Sequence, residues 1–110
     1  MNIQENTIIT QLKQAIERTL NAYENYKKLS QQQEENKNFL FDVIISNLEL
    51  INNLYRKLSQ TTQNKLNIDS NLFEYYAKEL MDTTKKVDDN LIFKILEKEL
   101  PFLLSKIKKL

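Results

Sequence analysis

Two adjacent carboxylate pairs, Glu34-Glu35 and Asp88-Asp89, are the residues of this 110-residue chain whose type and spacing first suggest acid–base or metal chemistry. Neighbouring side chains on a helix point about 100° apart, so such a pair works only with partners converging from other elements. The usual partners are missing. Histidine, the commonest base and metal ligand, is absent. The lack of cysteine removes thiol catalysis, disulfides and cysteine-ligated zinc. Without glycine there is no phosphate-cradling loop, dinucleotide turn or nucleophile elbow. Nearby lysines make the carboxylates solvated ion-pair partners. The expectation is a non-enzyme with no cofactor and no metal.

What remains chemically distinctive is apolar and basic. Between Leu91 and Leu110, Lys94, Lys98, Lys106, Lys108 and Lys109 oppose Glu97 and Glu99, a local net charge of +3 (five minus two). Pro101-Phe102-Leu103-Leu104, Ile107 and Leu110 make an apolar stripe opposite Lys106 and Lys109. One reading is an amphipathic helix on an anionic membrane or in a partner's groove. The other is the last helix of a bundle, its stripe buried and its lysines placed near a helix C-terminus. The second is preferred, because the broad apolar face of 39–55 needs a cover. Over the whole chain 16 basic residues balance 15 acidic ones, so no nucleic-acid footprint is visible. No apolar run approaches the ~20 residues of a membrane span. Met1-Asn2-Ile3-Gln4-Glu5 lacks the basic and apolar regions of a signal peptide, and a cytoplasmic location is expected.

The elements that must position these residues are helices. Stepping by seven gives Ile9, Ile16, Tyr23, Ser30, Lys37, Ile44, Ile51 and Leu58. Three residues on run Leu12, Thr19, Tyr26, Gln33, Leu40, Asn47 and Leu54. These are the a and d positions of a coiled coil, uninterrupted by Gly or Pro. The pattern predicts an all-α fold with one helix over about 7–59, capped by Asn6 or Thr7. It would pair with a second copy along Ile9, Leu12, Ile16, Leu40, Ile44, Ile51, Leu54 and Leu58. Ser30, Gln33 and Lys37 put polar groups at three consecutive seam positions, and the rival reading bends the chain between Ser30 and Asn38 into a compact antiparallel four-helix bundle. The stretch from Phe39 to Leu58 is too apolar for a single partner helix. Its predicted covers are a helix over 71–86, with Leu72, Phe73, Tyr76, Ala77 and Leu80 inward, and a last helix from Leu91, kinked or restarted at Pro101. Ser59 to Asn67 reads as a polar connection. The domain organisation is a projecting helix, 1–38, and a helical bundle, 39–110, or one domain over 1–110.

Tyr23-Glu24-Asn25-Tyr26-Lys27-Lys28, the acidic Glu34-Glu35, and the block ending Asn53-Leu54-Tyr55-Arg56-Lys57-Leu58 follow an order that resembles the GrpE nucleotide exchange factors, co-chaperones of Hsp70 proteins. Phe73 to Asp82 is similar to the helix that packs back on the long one in that family. The resemblance spans roughly residues 20–86. It implies a long-helix homodimer, an Hsp70-type chaperone as partner, and a partner-facing patch of Tyr23, Asn25, Tyr26, Lys27 and Lys28. The chain departs from the family at Leu29, where a basic residue is usual, and in ending on a helix rather than a β domain. Chaperone binding is therefore a safer expectation than nucleotide exchange. The alternative class is a small four-helix inhibitor or immunity-type protein that binds and neutralises another protein.

Overall fold

A computed structural model describes residues 3–29, 33–66 and 89–110. The described residues are helical and contain no strand, an all-α fold. Helix α1 spans Ile3–Lys28, α2 Glu34–Arg56 and α3 Gln60–Leu66. The last stretch is helical throughout, with α4 at Asp89–Lys94, a π-helical segment at Ile95–Glu99 and α5 at Leu100–Lys108. The predicted helix over 71–86, including the Phe73–Asp82 stretch, lies outside the described residues, as do Ser30 and Asp88.

The continuous helix over 7–59 is not what forms. Helix α1 starts earlier, at Ile3, and ends at Lys28, and α2 packs along it. Tyr26 near the end of α1 meets Phe41 near the start of α2, while Glu5 bonds Ser59 just past the end of α2. The two helices are therefore antiparallel and the chain reverses between Lys28 and Glu34. The longest dimension is 48 Å, against about 80 Å for an unbroken helix over those residues.

Burial decides the reversal. Leu12, Ile16, Ile44 and Ile51 are fully enclosed within the one subunit, each contributing about 1.5–3 kcal/mol. Four such residues outweigh the handful of solvated helix hydrogen bonds given up at the break, worth roughly 1 kcal/mol apiece. An extended dimer would bury the same seam only after meeting the entropy cost of association. The polar seam positions suit a connection better than a coiled coil: Gln33 is exposed, and the Lys37 ammonium rests over the Tyr26 ring at 5.3 Å. The heptad phase survives the break because each helix needs a buried stripe of similar period.

The polar connection after α2 is itself structured. Ser59 caps α3: its Oγ accepts the Thr62 N–H at 3.2 Å, satisfying one of the donors a helix start leaves unpaired. The Gln63 side-chain amide donates to the carbonyls of Leu58 (2.9 Å) and Tyr55 (3.3 Å) at the end of α2. The Ser59 N–H donates to the Glu5 carboxylate at 2.8 Å, and bonds from Ser59 and Thr62 hold that carboxyl below its ordinary range. This corner ties the start of α1 to the end of α2.

At Pro101 the last stretch changes from π to α geometry, with α5 starting at Leu100 and Pro101 in its first turn, the restart that the proline suggests. The Leu100 N–H bonds to the carbonyl of Ile95, five residues back, and helical geometry continues through Pro101. A proline ring collides with the carbonyl four residues earlier, here Glu97, and supplies no N–H to it. The wider π turn just before it relieves that conflict. One hydrophobic core results. Leu12, Ala15, Ile16, Ala22 and Tyr23 of α1 join Ile44, Leu48, Ile51, Leu54 and Tyr55 of α2. The last stretch adds Ile92, Ile95, Leu96, Leu100, Leu103 and Ile107. Thr19, buried at a seam position, satisfies its hydroxyl on the Ala15 carbonyl at 2.7 Å.

Candidate functional site

Four aromatic rings gather where α1 ends, α2 begins and α4 passes. Tyr23 stacks on Phe93 (5.8 Å between centroids) and on Tyr26 (6.5 Å). Tyr26 also meets Phe93 at 6.1 Å and Phe41 at 6.2 Å. One turn of helix separates Tyr23 from Tyr26, which places both rings on the same face of α1. The Tyr23 hydroxyl donates to Glu97 at 2.5 Å, and Glu97 lies in the π segment. Burial, then this bond and the neighbouring carboxylate charge, push the Tyr23 hydroxyl up to about 12. Such a group stays protonated through the physiological range and takes up no proton from a substrate. The arrangement is a clasp: stacked rings and one charge-assisted bond fastening three elements.

The residues expected to face a partner divide between inside and outside. Tyr23 is only 6% exposed and Tyr26 is half-buried, so both rings serve the interior. Asn25, Lys27 and Lys28 are exposed. Lys27 pairs with Glu24 at 2.9 Å and lies over the Tyr23 ring at 4.8 Å. That pair holds the Glu24 carboxyl below its usual range, and in water it contributes little to stability.

Of the predicted dimer seam, Leu12, Ile16, Ile44, Ile51, Leu54 and Leu58 are buried inside the single subunit, and Ile9 and Leu40 are half-buried. Within the subunit these residues pair α1 with α2. Glu34 and Glu35 are exposed in the first turn of α2, where carboxylates suit the positive end of the helix. Among the described residues no three His, Cys, Asp or Glu side chains converge as a metal site would require.

The apolar stretches read from the sequence are only partly buried. Leu103 and Ile107 of the last stripe are enclosed while Phe102 and Leu110 are exposed, as are Phe39 and Leu50 on α2. Two shallow depressions, about 520 and 390 Å³, lie side by side between α1 and α5 and share Lys108 as a wall. A third, lined by Gln4, Glu5, Ile8, Lys57 and Ser59, sits at the Glu5 corner. Phe41, Phe93 and Glu97 were missed as neighbours of Tyr23 because 18 to 74 residues of sequence separate them from it, and only the fold brings them together. No helix among the described residues is long and apolar enough to cross a membrane. Compared with known proteins, the chain matches no family model, and no curated protein or solved structure is significantly similar to it.

Proposed function

We propose that this chain is a non-enzymatic helical interaction module that works as a compact single subunit, binding and neutralising another protein. The observation that carries the reading is the enclosure of the heptad seam within one subunit, with Leu12, Ile16, Ile44 and Ile51 fully buried. Among the described residues the seam is spent inside the subunit, and Phe39, Leu50, Phe102 and Leu110 stand exposed, apolar side chains that a different protein could cover. The absence of His, Cys and Gly from the sequence, and the structural use of the Tyr23–Glu97 pair, support a binding role over a chemical one.

The test is mass and stoichiometry. Sedimentation should give a compact particle of 13.1 kDa, and a tagged chain should capture one protein at 1:1 whose activity falls on binding. An elongated particle of twice that mass, or no stoichiometric complex, contradicts the proposal. A co-chaperone role is the second reading, favoured by the exposure of Asn25, Lys27 and Lys28 at the end of α1. It requires binding to an Hsp70-type chaperone in its ADP state and loss of that binding on Lys27→Ala with Lys28→Ala. An absence of binding removes it.

A further inference from the structure

The two depressions between α1 and α5 form one trough. Their walls on α1 run from Asn6 to Leu20, fourteen residue steps, or about 21 Å at ~1.5 Å per residue. The floor is apolar at Ile9 and Ile107 toward one end, and at Leu20 and Leu104 toward the other. The rim is basic, with Lys13, Lys108 and Lys109 against the single Glu17, three positive charges to one negative. Lysines at the end of α5 also suit the negative end of a helix. That accounts for their charge but not for apolar side chains that no described residue covers between two helices, nor for Lys13, which lies mid-helix on α1.

We infer that this trough receives an amphipathic helix of a partner protein, apolar on one face and acidic on its flanks. The inference rests on the proposed function and names the chemistry of its partner. A trough about 21 Å long, with apolar side chains toward each end, accommodates roughly four turns of helix, anchored at i, i+4 and i+7 positions. The basic rim selects acidic flanks and steers them during encounter. A second copy fits poorly, because the trough carries one side-chain carboxylate to meet three lysines and is not self-complementary. A bilayer would press on a raised apolar face rather than enter a concave one.

The experiment uses the full chain and a fluorescein-labelled helical peptide of about 14 residues, with leucines on one face and glutamates on its flanks. A control peptide carries lysines in place of the glutamates. The acidic peptide should bind 1:1, at least about tenfold more tightly than the control, and more weakly as salt rises. Lys13→Glu with Lys108→Glu should weaken it by about tenfold or more while helicity is unchanged, whereas Lys65→Glu, exposed on α3 away from the trough, should not. Equal affinity for both peptides, no binding, or indifference to the Lys13 and Lys108 reversals overturns the inference. So does binding to phosphatidylserine vesicles without binding to the peptide, or a dimer of the chain that the reversals dissolve. A peptide that fails to bind while the 1:1 complex with a captured protein persists sinks this surface alone. Loss of the complex as well sinks the proposed function with it.

Discussion

Replacing Tyr23 with Phe deletes one oxygen and leaves the ring to stack on Phe93 and Tyr26. Its effect therefore reads the bond to Glu97 rather than the packing. Hydrogen bonds to charged groups contribute roughly 1.5–3 kcal/mol. Glu97 is exposed, so its carboxylate rehydrates once the hydroxyl is gone, and the loss should fall near the lower end, about 1–1.5 kcal/mol at pH 7.

The alkaline branch gives a second handle. Tyr23 titrates in the folded chain at about 12 rather than at its ordinary 10.0. A group whose folded value is raised lends its full stability below the unfolded value and loses it as pH climbs to the folded one. At pH 11 the native protein has forfeited at most about 1.4 kcal/mol, and Tyr23→Phe, with nothing to ionise there, has not. The gap between the two proteins should therefore close near pH 11. Urea unfolding followed by circular dichroism at pH 7 and from pH 9 to 11.5 measures it. Equal stability at pH 7, or a difference that does not change with pH, refutes the clasp.

Other expectations follow from the same geometry. Ile44→Ala, which empties a fully buried position of α2, should cost about 2–4 kcal/mol in urea unfolding. Leu54→Ala, nearly as buried, should fall in the same range of about 2–4 kcal/mol. Glu5→Gln should be less stable than the native chain at neutral pH. Because the Glu5 carboxyl is held low, its contribution is present above the unfolded carboxylate value and disappears as pH falls through the folded one. The two proteins should therefore converge in acid, and pH-dependent melting checks this. Ser59→Ala removes the α3 cap and should cost about 1 kcal/mol, seen as faster amide exchange over Gln60–Leu66. Lys27→Ala with Lys28→Ala should leave the fold intact in thermal melts, because both side chains are exposed.

The sequence made the fold class legible, since an unbroken supply of helix formers without glycine leaves few alternatives to helices. The buried stripes were also visible: Leu12, Ile16, Ile44 and Ile51 all appear in the heptad reading. What periodicity could not reveal is which helix those stripes face. A seven-residue repeat is the same whether its partner is another chain or the next helix of its own, and Gln and Glu between Ser30 and Asn38 favour helix locally. The decision came from burial integrated over both helices. The short helix α3 escaped notice for a related reason. Its apolar content is small, and its main signal is the spacing of Ser59, Thr62 and Gln63, whose bonds emerge only with the corner in place. Tyr23 and Tyr26 were picked out correctly as distinctive residues. Their use as a clasp depends on Phe93 and Glu97, which nothing local associates with them.

The account turns on the reversal between α1 and α2, and one distance tests it. The chain has no cysteine, so spin labels on Gln4→Cys and Lys57→Cys, two exposed residues that flank one depression, report on that pair alone. The labelled protein is diluted in unlabelled chain, which suppresses distances between copies. Pulsed electron resonance should give a single short separation, below about 25 Å allowing for label length, because Glu5 and Ser59 are in contact. A separation near 80 Å, the length of 53 residues in one continuous helix, would contradict the account.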